Sequence, residues 1–183
     1  TATYDLANSE KDDELLNTFC KEIMGVKDWM TGLKEGTELW VYGHAGFQNL
    51  PGWEVIDKYR VRGKKRSGDC LFDLYRYAVE EKRNIPVMLE TPAVQLIQKD
   101  GQVVGAVAKN NGKNINIKAN KAVILTTGGY EFDPESLRTY AQGENYHALG
   151  NPGNTGDGLR MAQSMGARLW HMTAYSCPLG TEL

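Results

Sequence analysis

The chain has 183 residues, a formal net charge of −2 and a hydrophobic share of 41%. That size and balance suit one folded domain with a core of its own, and they argue against a disordered chain or a dedicated nucleic-acid binder. No apolar run approaches the ~18 residues a membrane span requires. The chain starts at Thr1 without a signal peptide or a methionine, as a processed product or an excised piece would. Cys20, Cys70 and Cys177 lie far apart and are odd in number. Neither a metal site nor a disulfide framework is indicated, and a reducing, cytoplasmic setting is the default.

Residues 9–31 read as a helix. Ser9 is placed to cap it, Asp12, Asp13 and Glu14 enrich its first turns with negative charge, and Gly32 ends it. Leu15, Leu16, Phe19, Ile23, Met24 and Met30 recur at helical spacing. Residues 36–67 read as irregular, with Trp40, Tyr42, Phe47 and Trp53 either packing a loop or lining a pocket; His44 is given no role. The basic run RVRGKKR at 60–66 reads as a solvated loop. Residues 68–83 form a second helix with Leu71, Leu74, Tyr75 and Ala78 or Val79 inward, Arg76 and Lys82 outward, and Asn84 at its end.

The pattern then changes to short strands. IPVMLE (85–90) reads as a buried strand, AVQLIQKD (93–100) alternates, and QVVGAVAKN (102–110) returns after the turn signal Asp100-Gly101. Asn111-Gly112 is a second turn signal before KNINIKA (113–119). AVILTTGG (122–129) follows as an apolar strand opening onto two glycines. Pro134 opens a short helix over 134–142, residues 143–154 form a polar loop, and Thr155 or Asp157 caps a helix over 155–166 closed by Gly166.

Two glycine-rich segments carry the chemistry. An apolar strand ending in glycines is how many α/β proteins present backbone to a nucleotide. In the second segment, Gly153, Gly156 and Gly158 permit tight backbone paths beside the anion-friendly start of a helix. Asp157 brings a negative charge to the same place, poor for a phosphate but good for accepting hydrogen bonds from sugar or polyol hydroxyls; a helix cap alone is the bland alternative. No GxGxxG or GxxxxGK[ST] occurs, so a pyrophosphate cradle has to lie outside this sequence. His44, His147 and His171 stand in different contexts, and no catalytic residue and no metal ligand is nominated.

TTGGYE at 126–131, followed by GNTGDGLRMAQSMGARLWHM at 153–172, resembles the fumarate reductase and succinate dehydrogenase flavoprotein superfamily, which also holds 3-ketosteroid dehydrogenases and urocanate reductase-like enzymes. WMTGLKEG at 29–36 and the helix, strand and meander over 68–108 are similar to the same group. The resemblance implies an α/β, partly α+β-like fold: part of a Rossmann-like FAD-binding domain of the glutathione-reductase type with an antiparallel meander. It implies FAD contacts from Pro92, Ala93 and Val94, from Thr127, Gly128 and Gly129, and from Asn154, Thr155, Gly156, Asp157 and Gly158.

Two departures shape the expectation. The N-terminal unit with GxGxxG and the later capping domain are absent, so residues 1–183 read as an internal fragment, with 173–183 starting the connection to that capping domain. The family's Q-x-H-P is replaced by a run through Ser176, Cys177 and Pro178, which sets steroid-like, aromatic and other enoate substrates level with a dicarboxylate. The parent is expected to move hydride between a small-molecule substrate and FAD, while the fragment alone is expected to be inert and to hold FAD weakly or not at all. The alternative is a stand-alone binding or oligomerisation module, dimerising through surface that the missing segments leave uncovered.

Overall fold

A computed structural model of the chain describes residues 10–44, 52–141, 147–148, 150–169, 172 and 179–180. The expected cap Ser9, the ring of Phe47, His171 and the segment holding Ser176, Cys177 and Pro178 lie outside the described residues. The chain divides into two units, Thr1–Val87 and Met88–Leu183.

In the first unit, helix α1 spans Glu10–Ile23 and α2 spans Val26–Thr31. The single helix expected over 9–31 is broken at Gly25, where the high backbone entropy of glycine favours a turn. Its expected apolar face is open among the described residues: Leu15 is 68% and Met24 81% exposed, and only Met30 packs on the core. Residues 36–67 are not irregular throughout. Strand β1 (Leu39–His44) pairs antiparallel with β2 (Asp57–Val61), from Leu39 opposite Val61 to His44 opposite Asp57.

Helix α3 (Ser67–Arg76) continues as one π-helical turn, Tyr77–Glu81, and Asn84 reverses the chain at φ +48°. Leu33, Val61, Leu74 and Ala78 form the core, with Met30, Leu39, Cys70 and Leu71 against it. Lys82 does not simply face solvent: its Nζ donates to the carbonyls of Gly32 at 2.8 Å and Leu33 at 3.0 Å, so a cation meets the C-terminal end of α2. The basic run leads from the end of β2 to the residue before α3, and much of it is engaged. Arg60 stacks 3.9 Å from the Tyr42 ring centroid, while Arg62, Lys65 and Arg66 pair with Glu38, Asp73 and Asp69.

In the second unit, β3 (Ala93–Lys99), β4 (Gln102–Asn110) and β5 (Lys113–Lys118) form an antiparallel sheet in the order β3-β4-β5. Both turns are as the sequence predicts. Asp100-Gly101 takes φ +51° and +78°, and Asn111-Gly112 takes +49° and +75°, the left-handed pair that a two-residue hairpin turn requires. A helical turn α4 (Pro134–Ser136) runs into a π-helical turn, Leu137–Ala141. A two-residue strand, β6 (His147–Ala148), pairs with β7 (Leu179–Gly180). Between them in sequence lies α5 (Asp157–Ser164), which packs on β3 and buries Met161. It closes at Gly166, φ +86°, where Ala167 N–H reaches the Ala162 carbonyl and Gly166 N–H that of Gln163, a Schellman ending.

Two expected strands do not form. Residues 85–90 and 122–126 have no ladder partner among the described residues, and Leu89 and Ile124 are 78% and 83% exposed. A buried-type strand exists only between neighbours that satisfy its backbone and cover its faces, and none is in place here.

Candidate functional site

The site lies in the second unit, where two segments some 25 residues apart in sequence cross. Gly156 N–H donates to the Gly129 carbonyl at 3.0 Å, and Phe132 N–H to the Asn154 carbonyl at 3.1 Å. The crossing depends on absent side chains. At Gly128, φ +74°, an added Cβ would overlap the Asn154 carboxamide; at Gly158 it would overlap Thr127 Oγ1. Asn154 Nδ2 donates to Glu131 Oε1 at 2.5 Å, locking the two segments from their side chains as well.

The beginning of β3 is anchored separately. The Pro92 carbonyl accepts from Lys109 N–H at 2.9 Å, and Asn110 Nδ2 donates to Thr91 Oγ1 at 2.8 Å. Pro92, Ala93, Val94 and Gln95 then form one wall of a groove of about 720 Å³, with Asp157, Arg160, Met161, Ser164 and Met165 of α5 along the other. A cavity of this size is in the range of small-molecule sites. Val94, Met161 and Met165 offer an apolar, polarisable bed for a planar ring. The Asp157 carboxylate at the edge offers acceptors for hydroxyls.

All the residues expected to contact FAD are in this unit. Pro92, Ala93, Val94 and Asp157 line the groove directly; Thr127, Gly128, Gly129, Asn154, Gly156 and Gly158 form the crossing at the start of α5 and are not among the groove's lining residues. Thr155 contributes its hydroxyl to Asp157 Oδ2 at 3.1 Å and its carbonyl to Arg160. The expected cap differs. Neither Thr155 nor Asp157 is the N-cap of α5; Gly156 is, at φ +77°, with no side-chain cap. A Cβ there would stand 3.2 Å from Arg160 Nη1 and from the Tyr130 Cβ, and the left-handed φ strains any other residue.

Three residues escaped the sequence reading. Arg160 donates to Asp133 Oδ2 at 2.9 Å, to Asp157 Oδ1 at 2.7 Å and to the Thr155 carbonyl at 2.7 Å. The spacing of Asp157 and Arg160, three apart on a helix, was a legible signal. Asp133 caps α4, accepting from the Ser136 hydroxyl at 2.5 Å and the Ser136 N–H at 3.4 Å; Asp-Pro-Glu-Ser is a start signal that was read only at its proline. Glu131, the partner of Asn154, had no such signal.

The Ser136 hydroxyl, with the Ser136 N–H and the Arg160 guanidinium, holds the Asp133 carboxyl below its ordinary 3.8, against the opposing pull of desolvation. A depressed carboxyl contributes stability above its unfolded value and loses it as pH falls through the folded one. Asp133→Asn should therefore lower stability by about 1–2 kcal/mol at neutral pH. That difference should shrink steadily below about pH 3.8, which urea unfolding of both proteins across pH 2–7 would read.

A smaller groove of about 250 Å³ lies in the first unit beside Lys34, Thr37, Arg62, Cys70 and Asp73. Among the described residues, no group of His, Cys, Asp and Glu is placed to hold a metal ion, and no helix is long and apolar enough to cross a membrane.

A family model described as an FAD binding domain matches residues 27–177, and the chain belongs to this family of flavoproteins. It is similar to a probable fumarate reductase of Shewanella frigidimarina, 32% identical over 120 residues, covering 64% of this chain and 20% of that protein. It is also 32% identical over 128 residues to a 4-oxocyclohexanecarboxylate 2-dehydrogenase of Sinomonas cyclohexanicum, covering 67% of this chain and 21% of that one. The solved open conformation of a flavocytochrome c3 fumarate reductase superposes with a TM-score of 0.64 at 31% identity, over 79% of this chain and 24% of that one. The chain thus spans about a fifth to a quarter of the length of these relatives. It is a fumarate reductase-like flavoprotein sequence, and FAD is the cofactor of its parent fold.

Proposed function

We propose that the chain is part of the Rossmann-like FAD-binding domain, of the glutathione-reductase type, of an oxidoreductase that moves hydride between FAD and an enoate or enone. When bound, the flavin supplies the two-electron chemistry at its N5, and the protein supplies position and electrostatics. Within this chain, Pro92, Ala93 and Val94 present backbone and an apolar edge to the nucleoside end. Thr127, Gly128 and Gly129 bring main chain close beside the dinucleotide, and the loop Asn154–Gly158 offers Asp157 to hydroxyls. The observation that carries the reading is the shared groove: Pro92–Val94 and Asp157, far apart in sequence, face one cavity.

The chain alone is proposed to be catalytically inert, because no pyrophosphate cradle and no acid or base group converge among its described residues. The relatives' printed activities, a fumarate reductase and a 2-dehydrogenase of a ring ketone acid, support an activated carbon–carbon bond as the substrate class. The test is FAD retention by the complete flavoprotein carrying these residues. Asp157→Ala and Gly129→Val should each lower the flavin-to-protein absorbance ratio about tenfold or more at limiting FAD. Full occupancy in both variants would remove these residues from the site.

A second reading, an assembly module that keeps the fold without the cofactor, draws on the exposure of Leu89 and Ile124. It predicts a concentration-independent dimer of the 183-residue chain on size exclusion, with no response to flavin.

A further inference from the structure

The loop at the groove edge poses a problem that the sequence raised and the side chains answer. Asp157 is exposed and opens α5 between two glycines, Gly156 and Gly158. An aspartate so placed would sample several rotamers. Here both its oxygens are engaged, Oδ1 by the Arg160 guanidinium at 2.7 Å and Oδ2 by the Thr155 hydroxyl at 3.1 Å. Arg160 is itself held on its far side by Asp133 at 2.9 Å and by the Thr155 carbonyl at 2.7 Å. Asp133 in turn is fixed by Ser136, a buried residue. The chain of contacts runs from a buried anchor to the groove edge.

We propose that Arg160 is a positioning residue that holds the Asp157 carboxylate in one orientation for the vicinal hydroxyls of a ligand in the groove. This rests on the reading of the groove as a cofactor site. Two features separate the role from a simple surface pair. The planar guanidinium engages three acceptors at once, a geometry the lysine ammonium cannot reproduce. Each Asp157 oxygen keeps a second lone-pair site, so the clamp fixes the carboxylate without exhausting it. One cation is shared between two carboxylates, so the edge stays net negative, which suits hydroxyl donors and disfavours a phosphate at the same point.

Vicinal hydroxyls occur on the ribose of a nucleotide and on the ribityl chain of a flavin. The experiment therefore titrates the 183-residue chain with ADP, with 2′,3′-dideoxy-ADP and with FMN, read by amide chemical shifts. It uses the unaltered protein, Arg160→Lys, Arg160→Gln, Asp157→Asn and the double variant Arg160→Lys/Asp157→Asn. The expected result is a loss of about tenfold in affinity for ADP, or for FMN if the ribityl is the source, in each single variant. The double variant should lose no more than Asp157→Asn alone, and dideoxy-ADP should bind all proteins alike. Equal affinities across the variants would overturn the role. So would a parallel loss of dideoxy-ADP, since a general loosening of the loop weakens every ligand. If the unaltered chain binds none of the three at millimolar concentration, this role falls, while flavin retention by the complete flavoprotein tests the cofactor-site reading separately. Circular dichroism of each variant separates a folding failure, and Arg160→Lys, which keeps the charge, is the variant least exposed to one.

Discussion

Gly105→Val should be among the most damaging single changes in the chain, lowering stability by about 3 kcal/mol. Gly105 is buried in the central strand β4, opposite Ile97 on one side and Lys118 on the other. A Cβ at this position would overlap the Ile117 carbonyl oxygen and lie 3.3 Å from the Lys118 Cα. These are backbone atoms of β5, so the strand itself has to move, and the ladder bonds with it. Ordinary strand preference would predict the opposite sign, because valine is the better strand former. Urea unfolding gives the magnitude. Hydrogen exchange locates it: residues 113–118 should lose protection before 93–99.

The second large effect falls at the crossing of the two glycine segments. Gly158→Ala should cost about 1–3 kcal/mol, although alanine gains about 1 kcal/mol over glycine in a helix interior. The added methyl would coincide with Thr127 Oγ1 and stand 3.2 Å from the Thr127 Cβ, forcing α5 away from the turn at 127–129. Removing the hydroxyl and methyl of the partner should restore the fit. Thr127→Ala/Gly158→Ala is expected to recover more than half of the loss, a coupling that a double-mutant cycle reads directly. If Gly158→Ala is neutral or stabilising, propensity governs the position and the close approach is unimportant.

The meander was legible in the sequence because its signals are local. Alternation over 93–99 and 113–118 and the pairs Asp100-Gly101 and Asn111-Gly112 act within a few residues, and all appear where expected. The β1–β2 hairpin was missed for the converse reason. Its strands are separated by residues 45–56, both are exposed along much of their length, and the register shifts at Tyr42, so no alternation survives. Segments 85–90 and 122–126 were overread: an apolar run signals that a segment wants cover, and only a neighbour makes it a strand.

The site divides along the same line. The glycines of 127–129 and 153–158 were legible because steric permission is a property of each residue. Arg160 and Asp133, 27 residues apart, meet only after the two segments cross, and nothing in either local stretch specifies that contact. The cap at Gly156 was misplaced because Thr155 and Asp157 have side chains that favour capping, but here they bond to each other.

The decisive measurement maps where FAD touches the isolated chain, using backbone amide shifts through a titration into the millimolar range. Weak, fast-exchanging binding is expected, with a Kd on the order of 1 mM. The shifts should be confined to Ala93 and Val94, residues 127–129 and residues 154–158. Shifts concentrated instead around Lys34, Thr37 and Arg62 in the first unit, or a tight one-to-one yellow complex, would contradict this expectation.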